Sequence, residues 1–245
     1  MTHRGLERRR NEDSVGWNGW SMHGHSPAAF AIELDVDAPT TLVVCDGLGG
    51  HSGGLEASRL ACEILTEPGI LTQDGNADTV TAQLAKQLQH ASDVINDISS
   101  SRTHLSGMGC AIAGATILAD GHAIAFSLGD SRCYRVEGQR LARLTADRHR
   151  TRGAAVRQAL GAGRRTVLRP EFETCRLPDT SGLLLCSGGL HNFAHVADIA
   201  RIAAVGAPDV AARLRDLALS GGGGDNITVA HLSAVQPMAG ANTAP

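Results

Sequence analysis

The sequence predicts an α+β fold, with antiparallel sheets covered by layers of helices. Three observations lead there. Short apolar runs come in groups and do not alternate regularly with helices, which argues against a doubly wound parallel sheet. Two long helical stripes stand side by side between those groups. The chain has 245 residues, 42% of them hydrophobic, enough for one large domain with a sizeable core.

The elements follow in order. Residues 30–34 and 41–45 read as strands, with a turn around Asp37-Ala38-Pro39 between them. A helix starts at about Leu55, where Ala57, Leu60, Ala61, Ile64 and Leu65 fall on one face, and Pro68-Gly69 ends it. A second helix runs over about residues 77–99, with Val80, Leu84, Leu88, Ala91, Ile95 and Ile98 on one face. Runs at 110–118, 122–128 and 133–136 read as consecutive antiparallel strands, with a turn at Glu137-Gly138. A short helix is expected around residues 154–160 and a buried strand at 183–186. Val210, Leu214 and Leu217 mark a late helix; four glycines, 221–224, then lead into a last strand at 227–232. This gives one domain over residues 1–235. Residues 236–245 are rich in Pro, Ala, Gly and Asn and are expected to form a disordered tail.

Composition narrows the function classes. A net charge of −3 offers no general surface for nucleic acid or membrane. Arg8-Arg9-Arg10 is the one basic cluster, and two of its three arginines read as solvated charge. Six cysteines lie scattered in apolar segments without a Cys-x-x-Cys pair, as small buried hydrophobes do in a reducing compartment. No apolar segment follows Arg4 as in a signal peptide, and no run approaches the roughly 18 apolar residues of a membrane span. A cytoplasmic chain is expected.

Four short motifs carry the chemistry. They are Arg8-Arg9-Arg10-Asn11-Glu12-Asp13, Asp46-Gly47-Leu48-Gly49-Gly50-His51, Gly129-Asp130-Ser131-Arg132 and Asp225-Asn226-Ile227-Thr228. Each sets a carboxylate beside Gly, Asn or Ser, next to an apolar run. Carboxylates gathered from distant strand ends, with one Arg, are what a site needs to hold hard divalent metals and a phosphate. Singly the motifs are modest. Asp46 could cap a helix, Asp225 could belong to a turn, Asp130 to a tight hairpin, and Glu12-Asp13 to solvated surface. A phosphate-binding P-loop is a weak reading, because Gly50-His51-Ser52 lacks the lysine.

Together the four motifs resemble the metal-dependent Ser/Thr protein phosphatases of the protein phosphatase 2C type, in their small bacterial form. The likeness extends through Met108-Gly109, Leu144-Thr145-x-Asp147 and Ala159-Leu160-Gly161, in order and spacing, over nearly the whole chain. It implies a four-layer α-β-β-α sandwich with two central antiparallel sheets, and two Mn²⁺ or Mg²⁺ ions at one edge. By motif match Asp46 would bridge both ions and the Gly47 carbonyl would complete one site, with Glu12 nearby. Asp225 would hold the other ion, and Asp13 would support the metal waters. Arg8 would grip the phosphate, and Asp130 would help to bind a weaker third metal. Arg8 and Asp46 are the residues this assigns to catalysis. Two divalent ions about 4 Å apart acidify a water for in-line attack on phosphorus. The expected partner is a phosphorylated protein, with no nucleic acid or membrane, and the chain is expected to work as a monomer.

The sequence also departs from the family pattern. Ser187-Gly188-Gly189-Leu190 stands where the family has Ser-Asp-Gly-Leu, so the ion at Asp225 and the third site would each lose a carboxylate. Weaker metal binding at Asp225 is expected. His191 and His195 are candidate replacements on Mn²⁺, against the plainer reading of surface histidines; His23-x-His25 reads as incidental. Leu48 stands where some members carry a His proposed as general acid, and Cys110-Ala111 replaces a usual Thr pair. The stretch between Asp147 and Ala159 is short, which implies a reduced flap beside the site. Two alternatives stay open: a catalytically impaired phosphoprotein-binding module, and a phosphatase of small phosphorylated metabolites.

Overall fold

Strand β4 (Thr40–Leu48) shows how the layers arise. Side chains alternate along a strand, so Val43 and Cys45 face one way and Val44 the other. All three are fully buried, which places β4 between two apolar layers. The structure is a computed structural model. It describes residues 1–24, 28–29, 31–33, 36–48, 53–73, 75–146, 158–163, 165–178, 181–204 and 207–233.

Strand β4 lies inside a seven-stranded sheet. Its order is β10 (Glu171–Arg176), β6 (His122–Leu128), β5 (Gly109–Ile117), β4, β2 (Ser14–Trp17) and β3 (Trp20–His23); β9 (Leu160–Gly161) adds to β5. A five-stranded sheet runs β1 (Thr2–His3), β12 (Ile227–Ser233), β11 (Ser181–Cys186), β7 (Arg132–Glu137) and β8 (Arg140–Arg143). The pairings among the described residues are antiparallel.

Helices α1 (Gly53–Leu65) and α2 (Ala77–Ser101) cover the larger sheet. Leu65, Leu84, Leu88 and Ile95 meet Ile112, Ile124 and Phe126 there. Helices α3 (Gly188–His191), α4 (Val196–Ala203) and α5 (Val210–Ser220) cover the smaller sheet, where Leu190, Ile199 and Leu214 meet Leu184 and Val229. Between the sheets lie Val15, Val44, Leu183 and Leu185 with the small Ala115, Ala123, Ala125 and Cys133. Each fully buried Leu, Ile or Phe contributes roughly 1.5–3 kcal/mol, so the helix-on-sheet layers carry most of the stability. The result is the four-layer α-β-β-α sandwich with two antiparallel sheets that the sequence implied.

Several elements differ from expectation. Residues 31–33 are not strand, and Ile32 is 49% exposed; Phe30 and Leu34 lie outside the described residues. The strands ahead of β4 are instead the hairpin β2–β3, turned at Asn18-Gly19, where both residues have positive φ (45° and 76°). Asn-Gly at positive φ is the type I′ hairpin turn that suits strand twist. Strands β6 and β7 are not neighbours, because the chain changes sheets at Gly129 (φ 112°), where a Cβ would meet that of Ala111 at 2.5 Å. The expected helix at 154–160 is contradicted at its described end, since Leu160–Gly161 is strand β9; residues 154–157 lie outside the described residues, as does the tail 236–245. Strands β1, β2, β3, β8 and β10 and helices α3 and α4 were not foreseen. Five of the six free cysteines are buried and Cys175 is partly so, as expected of small hydrophobes. None of the described helices is long and apolar enough to cross a membrane.

The topology gathers chain ends at one edge. Cys186, the last residue of β11, is opposite both Arg132 at the start of β7 and Val229 near the start of β12. So the residues just before β7 and β12 and just after β11 emerge together. In the other sheet Ser14, the first residue of β2, is opposite Cys45 of β4. Asp13 and Asp46 therefore emerge together too.

Candidate active site

Asp46 and Gly47 lie near the C-terminal end of strand β4, opposite Ala111 and Cys110. A Cβ on Gly47 would lie 2.4 Å from the Glu12 carbonyl oxygen and 2.5 Å from that of Gly54, so only glycine lets these three backbones meet. A Cβ on Gly54 would in turn lie 2.5 Å from Glu12 Oε2, which sets the Glu12 carboxylate against the first turn of α1. Negative charge is favoured at a helix N-terminus. The Ser58 hydroxyl donates to the Glu12 carbonyl at 2.6 Å and fixes its backbone.

Asn226 holds the segment around Arg8. Its amide nitrogen donates to the carbonyls of Arg4 and Arg10, both at 2.9 Å, and its oxygen accepts from the Glu12 N–H at 2.8 Å. Arg8 then reaches Asp225 with two contacts, Nε to Oδ1 at 3.0 Å and Nη2 to Oδ2 at 3.1 Å. This is the forked geometry that arginine makes with carboxylates and phosphates.

Two of the acids, Asp13 and Asp46, sit where burial disfavours their charge. Asp13 is 1% exposed, and neither carboxylate oxygen has a hydrogen-bond partner. The Ser187 and Thr228 hydroxyls lie close enough to favour its charge, but they are engaged with the Asn226 carbonyl at 3.3 Å and Thr2 Oγ1 at 2.7 Å. Burial, with the Asp225 charge nearby, pushes the Asp13 carboxyl up to about 7. Asp46 keeps an accessible edge, although protein encloses its carboxylate. Burial and then the charges of Asp13, Asp130 and Asp225 push it well above the usual carboxylate range, and the Gly188 N–H opposes them from 3.4 Å.

The structure thus brings Asp13, Asp46, Asp130 and Asp225 into one electrostatic cluster, with Arg8 on Asp225 and Glu12 beside Gly47. Asp130 sits at the crossing between sheets, not in a hairpin. Among the described residues, no three Asp, Glu, His or Cys side chains already stand as a closed ligand set. Arg8 holds Asp225, and Glu12 rests on α1. Gly49, Gly50, His51 and Asp147 lie outside the described residues.

The histidines do not fill the gap at Gly188. His191 Nε2 is 3.0 Å from the Asp130 carbonyl oxygen, and His195 Nδ1 accepts from the Ala197 N–H at the start of α4. Instead a Cβ on Gly188 would meet the side-chain nitrogen of Asn192 at 3.2 Å and Asp46 Oδ2 at 3.7 Å. Leu48 is 38% exposed at the end of β4. Sequence reading gave no role to Asn192 or Asn226; the Asp225-Asn226 pair was visible, but which amide would tie the arginine segment was not.

Comparison with known proteins bears on the family and the fold. The model of the protein phosphatase 2C family matches residues 29–216. The serine/threonine phosphatase stp of Listeria welshimeri is 29% identical over 213 residues, covering 78% of this chain and 77% of that protein. The protein phosphatase PhpP of Streptococcus pneumoniae is 29% identical over 217 residues, covering 79% and 85%. The solved structure of the S. agalactiae serine/threonine phosphatase superposes with a TM-score of 0.78 at 22% identity, over 96% of this chain and 98% of that one.

Proposed function

The chain belongs to the protein phosphatase 2C family, and from that membership we propose that it removes phosphate from phosphoserine and phosphothreonine in a protein substrate, with Mn²⁺ or Mg²⁺ as cofactor. The observation that carries the reading is the acid cluster. The charges of Asp13, Asp130 and Asp225 all act on Asp46, and the buried Asp13 oxygens lack partners among the described residues. Such a cluster is costly alone and is relieved by cations. Its donors are hard oxygens, which suit Mn²⁺ and Mg²⁺.

Asp46, Asp225, Glu12 and the Gly47 carbonyl would hold two ions, with Asp13 behind them and Asp130 toward a third. When bound, the ions supply Lewis acidity toward water and the phosphoryl oxygens. The chain does the rest. Arg8 exchanges Asp225 for the phosphate and makes the same two-pronged contact with it. Glu12 and Asp46, fixed through Asn226 and β4, orient the attacking water. Leu48 carries no proton, so solvent protonates the leaving serine or threonine. Gly188 offers an N–H and no carboxylate, which leaves the Asp225 side of the site one negative charge short and weakens its hold on metal.

Phosphate release from a phosphothreonine peptide tests this. Release should require Mn²⁺ or Mg²⁺, stop with EDTA, and fall by at least about a thousandfold in Asp46→Asn. Metal-independent release would overturn the reading. Gly188 favours one alternative, a phosphoprotein-binding module that has lost turnover; peptide binding without release at any metal concentration would support it.

A further inference from the structure

Arg4, Arg9 and Arg10 have no part in the chemistry above, yet they surround Arg8 on one short segment. All four arginines are exposed. Among the described residues, Arg8 alone of the four forms an ion pair, with Asp225. The one acid among residues 4–11, Glu7, places its carboxylate over Gly224, 3.4 Å from where a Cβ there would stand. The chain as a whole carries −3, so this concentration of positive charge runs against the global balance.

The segment is also rigid. Asn226 clamps the carbonyls of Arg4 and Arg10, the Leu6 N–H donates to the Gly223 carbonyl at 2.7 Å, and Gly5 packs on the Asp225 backbone so closely that a Cβ would clash. The backbone that carries the arginines is therefore fixed beside Asp225, at the edge of the acid cluster. Charges act over about 8 Å at physiological salt, and an extended peptide advances about 3.3 Å per residue. Positive charge here is felt by residues within two or three of the phosphorylated one.

We propose that Arg4, Arg9 and Arg10 form a basic collar that selects phosphopeptides with acidic residues flanking the phosphoserine or phosphothreonine. The inference rests on the phosphatase reading and adds the substrate class to it. The patch is one loop long, which matches a few residues of extended chain and not the length of a nucleic-acid duplex.

The test uses three phosphothreonine peptides of equal length, with glutamate, glutamine or lysine at the flanking positions. Both kcat/KM with Mn²⁺ and affinity by fluorescence anisotropy are measured, at low and high salt. In the wild type the glutamate peptide should exceed the glutamine peptide by roughly threefold to tenfold, with lysine lowest, and the ranking should shrink in high salt. Arg9→Gln/Arg10→Gln should bring the ratio close to one, while Arg9→Lys/Arg10→Lys keeps it. Affinity ranked by charge without any phosphate release would overturn the phosphatase reading and leave the collar standing. Release with no preference among the peptides, or a preference that survives Arg9→Gln/Arg10→Gln, would overturn the collar.

Discussion

Asp13 is an acid kept where its charge is costly, and this gives the metal-free protein an unusual pH response. Unfolded, Asp13 titrates near 3.8; folded, near 7. Between those values the folded state holds a proton that the unfolded state has released. Its contribution therefore makes the metal-free protein less stable as pH rises from about 4 to 7. In EDTA, wild type should lose urea resistance over that range relative to Asp13→Asn, and added Mn²⁺ should restore it at pH 7.5. Parallel pH profiles for the two proteins would argue against the cluster as described. Asn226 offers a second test. Asn226→Ala strands the Glu12 N–H and two carbonyls, each worth about 1–3 kcal/mol if it stays buried. A loss of roughly 2–4 kcal/mol in urea unfolding is expected, with a larger proportional loss of Mn²⁺ affinity. At this scale the proximity of Asp46, Asp225 and Arg8 was legible, because the spelling of their motifs is specific. Asn192 was not, because its place over Gly188 comes from capping the one-turn helix α3, which no sequence pattern announced.

Helix α1 links the sheet to the site. Its Cys62 lies over Gly16 of β2, where a Cβ would meet the Cys62 Cβ at 2.7 Å, and its first turn carries Gly54 against Glu12. Gly16→Ala should lift α1, cost about 1–3 kcal/mol in thermal unfolding and raise the Mn²⁺ requirement. Unchanged stability and unchanged metal dependence would show that α1 is not a rigid strut. The long helices were legible from their stripes, and β5, β6, β11 and β12 from continuous apolar runs. The hairpin β2–β3 was harder to see, since its strands are short, Gly16 interrupts the apolar pattern and Trp20 is 69% exposed. The Asn18-Gly19 dipeptide is the local signal that would have marked it, and it was passed over. The brief strands β1 and β9 exist only through their partners, and nothing local specifies them.

At the scale of the whole molecule, two sheets of different size present their strand ends at one edge, and the acid cluster is built from both. The layered α+β class was legible because strands and helices come in blocks. Sheet membership was not: β6 and β7 are consecutive in sequence but separated in space by the turn at Gly129, and only long-range packing decides that. The family's fold and its phosphatase chemistry meet at Gly188, the place where this chain's site has an N–H and no side chain. The backbone there lies outside the left-handed region, and among the described residues a Cβ would meet the Asn192 amide at 3.2 Å and Asp46 Oδ2 at 3.7 Å, so an aspartate is accommodated there with a small shift of Asn192. The most direct measurement is a Mn²⁺ titration of phosphothreonine-peptide hydrolysis by wild type, Gly188→Asp and Asp46→Ala. Wild type should turn over only at high Mn²⁺, Gly188→Asp should lower the Mn²⁺ needed by about tenfold or more, and Asp46→Ala should be inactive. Identical Mn²⁺ dependence in wild type and Gly188→Asp, or turnover by Asp46→Ala, would contradict the metal site assembled around Asp46 and left incomplete at Gly188.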